Sequence, residues 1–234
     1  MMKQLELKIR LNGAEALRTL KEIYSYQELS KLTKLSPQIL LRYIKGQFLP
    51  SLERAELFTK IFKEKALKKA ILRNIEIREN IIVNVKLLSN IRILNQIAKT
   101  IITEIYDKGI TAIVTKETDG VPLATLIANK LEAKLVVAKN RKEPGIKEFI
   151  EVKQVYSGGL YDYIYIPKNI IRREEKILII DDIVRTGSTI RALVEACLKE
   201  KAKIIKIFTI ISVGEGLNKI GEEYGIPVEA LVKM

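Results

Sequence analysis

Across residues 14–62 the apolar positions recur at intervals of three and four, with short breaks and no strand-like alternation, which predicts several short helices. Their starts are marked. Ser25 opens SYQE, the spacing at which a serine hydroxyl caps a helix and Glu28 reaches back to the cap amide. Ser36 and Pro37 stand in the order of N-cap and first helical residue, where proline's missing N–H costs nothing. Gly46 ends that helix, and Pro50 and Ser51 open another. Residues 65–80 (KALKKAILRNIEIREN) are charged and periodic and predict a helical linker, IIVNVKLL alternates as a short strand does, and residues 89–109 predict one long amphipathic helix stopping at Gly109. Beyond it, strand and helix patterns alternate: ITAIVT, VPLATLIANKL, KLVVAKN and, after an irregular stretch, KILIIDD, TIRALVEACLKEK and KIIKIFTIIS. Short apolar strands separated by helices predict an α/β fold around a mostly parallel sheet covered on both faces, with ligands at the carboxyl ends of the strands.

Composition narrows the chemistry. At 234 residues and 47% hydrophobic, the chain can bury a real core in one large domain or two smaller ones. No run approaches the roughly eighteen apolar residues of a membrane span, and MMKQLELKIR interleaves charges with Leu and Ile. A cytoplasmic protein with no membrane association is expected. The absence of histidine excludes Ser-His-Asp and Cys-His catalysis and, with a single cysteine, ordinary zinc sites and internal disulfides. Carboxylates, lysines, backbone amides or a hard metal remain. Cys197, inside the apolar RALVEACLK, is expected to be a small buried hydrophobe. The net charge of +13 is uneven: residues 1–73 hold 16 Lys and Arg against 7 Asp and Glu, so the first third is the part expected to meet a polyanion.

The two capped helices flanking KLTKLS have the dimensions of a helix-turn-helix. The stretch SYQELSKLTKLSPQILLRYIKGQFLPSLERAELFTKIF resembles the Cro and phage-repressor class of such domains. That resemblance implies an all-α helix-turn-helix domain over residues 1–66, a recognition helix over residues 36–45 and double-stranded DNA as partner. Ser36, Gln38 and Arg42 would then meet bases or phosphates, and Lys34 and Lys45 phosphates.

The most informative stretch is ILIIDDIVRTGSTI, residues 177–190. Four aliphatics form a central strand, and two carboxylates, Asp181 and Asp182, stand at its carboxyl end. Arg185, Thr186, Gly187, Ser188 and Thr189 then turn into a helix whose unpaired first amides and dipole favour a phosphate, while the carboxylates accept hydrogen bonds from hydroxyls one sugar away. A ribose 5-phosphate satisfies both halves. The string resembles the phosphoribosyl pyrophosphate (PRPP) motif of type I phosphoribosyltransferases. TKETDGVPLA resembles the family's pyrophosphate loop, implying Thr118, Asp119 and Gly120. VVAKNRKEPG resembles its second pyrophosphate strand, implying Arg141 and Lys142, and residues 145–168 resemble the flexible hood. The alternating Tyr161, Tyr163 and Tyr165 predict one face of a hairpin there.

The resemblance implies a PRPP-binding domain over residues 85–234, a linker over 67–84, and Mg²⁺ accompanying PRPP through substrate oxygens, with no dedicated protein metal ligands and no catalytic residue assigned. Arg185 occupies a position where purine-type transferases usually carry an acid or a small residue, and a permanent cation cannot act as a base. This favours the purine-repressor family: a dimeric DNA-binding regulator of nucleotide metabolism that senses PRPP or a related ribonucleotide. An active purine or pyrimidine transferase with an appended helical domain is the alternative.

Overall fold

Residues 14, 16, 17, 20 and 23 are all apolar, and this stripe at helical spacing is buried along α1 (Met2–Ile23). The computed structural model, which describes residues 2–234, extends the helix well before Ala14, where the sequence pattern predicted its first turn. The serine caps behave as expected. Ser25 accepts the Glu28 N–H at 3.2 Å while Glu28 accepts the Ser25 N–H at 2.7 Å, which starts α2 (Tyr26–Thr33). Ser36 and Ser51 likewise accept the N–H three residues on and start α3 (Pro37–Ile44) and α4 (Leu52–Ile61). Between them Tyr43 lies edge-on to Phe48 and Phe58, with its hydroxyl accepting from Arg54 at 2.6 Å.

The predicted helical linker is shorter than the sequence suggested. After a π-helical turn over Phe62–Ala66, α5 (Leu67–Arg73) stops, and β1 (Glu76–Arg78) pairs antiparallel with β2 (Ile81–Val83). Glu79 and Asn80 both take positive φ, 47° and 64°, the conformation of a tight two-residue hairpin. The strand predicted from IIVNVKLL is only this short β2, since the chain turns at once into α6 (Val85–Ser89) and then α7 (Ile91–Ile105). Two compact units result, Met1–Ile97 and Ala98–Met234.

The second unit is an α/β fold. Its elements are β3 (Ala112–Lys116), α8 (Val121–Leu131), β4 (Lys134–Ala138), β5 (Phe149–Val155), β6 (Tyr161–Pro167), β7 (Lys176–Val184), α9 (Ser188–Lys199), β8 (Lys203–Ser212), α10 (Gly216–Tyr224) and β9 (Val228–Lys233). The sheet runs in the order β4-β3-β7-β8-β9 with every neighbouring pair parallel. Ile177 to Ile180 of β7 are completely buried, as a strand covered on both faces requires. β5 and β6 form a separate antiparallel hairpin, the expected hood. From β3 the chain steps outward to β4, whereas from β7 it steps the other way to β8 and β9. The carboxyl ends of β3 and β7 therefore flank the point where strand order reverses, which is where ligands enter sheets of this kind. Among the described residues no helix is long and apolar enough to cross a membrane.

Candidate active site

Asp181 and Asp182 end the buried part of β7 and are themselves only 7% and 9% exposed. The Asp182 N–H donates to Asp181 Oδ1 at 3.1 Å, and the Asp182 carbonyl accepts from the Thr209 hydroxyl at 3.0 Å, so the backbone under both carboxyls is fixed. Burial first, and then the neighbouring Asp182, push the Asp181 carboxyl well above the ordinary carboxylate range. Burial also raises Asp182, and nearby Asp119 raises it further. The counter-charge comes from Lys116, the last residue of β3. Desolvation lowers its own proton affinity, against the opposing pull of Asp181, Asp162 and Glu117.

Next to this pair the chain turns into α9. Gly187 is the N-cap, at φ 82°, and has no side chain with which to cap the helix. A Cβ there would lie 2.9 Å from Ile220 Cγ1 and 3.0 Å from the Gly216 carbonyl, so both the backbone angle and the space call for glycine. The amides at the start of this 12-residue helix form the anion-attracting end expected from the sequence. Thr186 and Ser188 are linked through the Ser188 N–H, at 3.4 Å to Thr186 Oγ1. Arg185 is exposed on the same turn.

The loop after β3 comes against the acids. Gly120 has an ordinary helical φ of −71°, so backbone freedom is not why it is glycine. A Cβ there would sit 2.3 Å from Thr115 Oγ1 and 3.4 Å from Asp181 Oδ1. The Glu117–Thr118 peptide in this loop is cis. The loops after β3 and β4 are tied together: Glu117 N–H donates to the Ala138 carbonyl at 3.0 Å, and Glu117 Oε1 accepts from the Asn140 N–H at 2.6 Å. Arg141 is exposed beside that junction. Lys142 is engaged with the hood instead, with its ammonium 2.5 Å from Glu151 and over the faces of Tyr165 and Phe149.

Two residues that the sequence reading did not single out join these parts. Lys116 donates to Gln154 Oε1 at 2.8 Å, and Gln154 Nε2 donates to Thr189 Oγ1 at 2.9 Å and to Ser188 Oγ at 3.4 Å. The available signal was alternation: Ile150, Val152 and Gln154 share the inward face of β5, so a polar residue stands where an apolar one continues the pattern. Tyr161 and Tyr163 are exposed on the hood hairpin, edge-on with centroids 6.0 Å apart, as a hairpin face predicts. Among the described residues no group of three or more acidic, His or Cys side chains is arranged to hold a metal. Cys197 is buried and its thiol is pushed up to about 12, so it takes no part in the chemistry.

Residues 85–224 match the phosphoribosyl transferase domain family, and the chain belongs to that family. The hypoxanthine/guanine phosphoribosyltransferase of Methanotorris igneus is 34% identical over 147 residues, covering 62% of this chain and 77% of that protein. The protein of the same name from Methanocaldococcus jannaschii is 31% identical over 145 residues, covering 61% and 76%. Among solved structures, the adenine phosphoribosyltransferase of Thermoanaerobacter pseudethanolicus superposes with a TM-score of 0.63 at 18% identity, covering 72% of this chain and 99% of that one. The Trypanosoma brucei adenine phosphoribosyltransferase in complex with AMP, pyrophosphate and ribose-5-phosphate gives 0.62 at 16% identity, covering 73% and 81%. The type I phosphoribosyltransferase fold with its parallel sheet is thereby established.

These relatives overturn the expectation of a DNA-binding transcriptional regulator, since they are named as enzymes. Double-stranded DNA is withdrawn as a partner, and so are the DNA-contact roles of Lys34, Ser36, Gln38, Arg42 and Lys45. The features that suggested them have local explanations. Ser36 uses its hydroxyl to cap α3. Lys34 and Lys45 are the C-caps of α2 and α3. The Arg42 guanidinium lies over the Phe48 ring at 5.9 Å. Gln38 is an exposed side chain on the first turn of a short helix. Caps at this spacing start any pair of short helices and carry no information about a nucleic acid. The inference from Arg185 failed for a related reason. A cation at one position removes a base only there, while two buried carboxyls of raised proton affinity stand beside the same turn.

Proposed function

We propose that the protein is a purine phosphoribosyltransferase that joins hypoxanthine or guanine to the ribosyl group of PRPP, and that residues 85–234 carry this activity. In that reaction the bond from C1 of the ribose to pyrophosphate breaks and a bond from C1 to a ring nitrogen of the base forms. The nitrogen gives up its proton to water and pyrophosphate departs. One observation carries the reading: a buried diacid, Asp181 and Asp182, is followed within a few residues by a helix start whose N-cap is a glycine. A molecule that fills both places needs a phosphoryl group and, one sugar away, hydroxyls that can donate to carboxylates.

The roles follow from position. The turn of Arg185, Thr186, Gly187, Ser188 and Thr189 takes the 5′-phosphate, and Asp181 and Asp182 take the ribose 2- and 3-hydroxyls. Thr118, Asp119 and Gly120, with Arg141 from the adjoining loop, face the pyrophosphate. Lys142 is a weaker candidate for that duty because Glu151 already holds it. The diacid offers hard oxygen donors of the kind Mg²⁺ accepts, and that ion needs few from the protein because water and phosphate oxygens fill its remaining positions. When bound, Mg²⁺ supplies positive charge to the departing pyrophosphate and relieves the repulsion from Asp119. The purine preference rests on the names of the relatives.

Incubation with PRPP, Mg²⁺ and hypoxanthine, guanine, adenine or orotate in turn tests the proposal. Pyrophosphate release with hypoxanthine or guanine, together with the matching nucleoside monophosphate, is expected. Silence with all four bases refutes it.

A further inference from the structure

β5 brings a primary amide into the interior at Gln154, which is only 2% exposed. A buried amide is costly unless its donors and acceptor are used, and here they are committed to two sides of the site. Lys116 donates to the amide oxygen, and the amide nitrogen donates to the Thr189 and Ser188 hydroxyls. The lysine also fixes which way the amide faces. An ammonium has only protons to give, so the oxygen must turn toward it and the NH₂ toward α9.

The hydroxyls are constrained in turn. Each has one proton and accepts through its lone pairs. Because Gln154 gives protons to Thr189 and Ser188, both hydroxyls must direct their own protons to some other acceptor. Accepting one bond also polarises each as a donor to the next. These two residues begin the helix whose N-terminal dipole favours a phosphate.

We propose that Gln154 is a positioning residue for the 5′-phosphate: held by Lys116, it makes the Ser188 and Thr189 hydroxyls obligate donors to the phosphoryl oxygens. The inference rests on the transferase reading of the same site and deepens it. It also gives the hood hairpin a function, because one of its inward residues prepares the phosphate end.

Gln154→Glu is the discriminating variant. It preserves side-chain length and strengthens the partnership with Lys116, yet it accepts protons where Gln154 gives them, and it adds negative charge beside the phosphate. Gln154→Met keeps the length and removes all three hydrogen bonds, so a second variant is at hand if the first folds poorly. Calorimetric titration of GMP and guanosine into the full-length wild type and both variants provides the readout. Weakening of GMP by about tenfold or more, the scale of one hydrogen bond to a charged group, is expected with guanosine unchanged. Equal weakening of both ligands would reveal a merely structural glutamine, and unchanged GMP affinity would equally overturn the assignment. If the wild type itself does not bind GMP, the transferase reading falls first and this inference with it.

Discussion

Asp181 is a carboxyl enclosed by other oxygens and by β7, which makes its charged form unfavourable in the free protein. Its proton affinity is raised on folding, so above about pH 4, the ordinary aspartate value, this carboxyl holds more of its proton in the folded chain than in the unfolded one. The contribution of Asp181 to stability therefore falls as pH rises from there toward its folded value. Asp181→Asn removes the penalty: thermal unfolding without ligand should show a higher Tm at pH 7, by about 2–4 °C for each kcal/mol regained in a chain of this size, and a shallower loss between pH 4 and 7. The same variant should lose affinity for GMP. A Tm at or below wild type would contradict this account of the acid. The two aspartates and the turn after them were legible because they are consecutive, so a strand end and a helix start fix their geometry from sequence alone. Gln154 was not, since its partners lie 34, 35 and 38 residues away along the chain. Nor was the capture of Lys142 by Glu151, which depends on the hood hairpin folding back toward the loop after β4.

Among the elements, the turn into α9 is constrained by backbone angle and by space together. Gly187→Ala places a Cβ at a left-handed φ and against Ile220, and should cost about 1–3 kcal/mol in thermal unfolding, with a further loss of phosphate affinity because the amides shift. Wild-type stability in this variant would mean that the turn relaxes freely. VPLATLIANKL and KIIKIFTIIS correspond residue for residue to α8 and β8, because each is a long apolar pattern bounded by polar or turn residues. The predicted linker helix gave way to the β1–β2 hairpin because Glu79 and Asn80 take positive φ, and nothing in the local hydrophobic spacing reports that. α10 and β9 were not foreseen. One is a nine-residue helix, and the other is a half-buried edge strand with little alternation.

For the molecule as a whole, the uneven charge was the least reliable guide. An excess of lysine and arginine in residues 1–73 describes a solvated helical surface as well as a polyanion-binding one, and composition has no means of separating the two. The fold of the second unit was legible because alternating strands and helices admit few topologies. Native-state amide exchange with and without GMP should show slowing at residues 186–190 while α2 and α3 keep their rates. A change at α3 of similar size would contradict a ligand effect centred on the start of α9. The burial of Cys197 has a practical side. With the chain's one thiol sealed in the core and held protonated, maleimide dyes should leave the native protein unlabelled. A cysteine introduced at exposed Leu160, between the two hood strands, would then be the sole attachment point for a fluorophore, so any response of the hood hairpin to added ligand could be followed without first stripping the background.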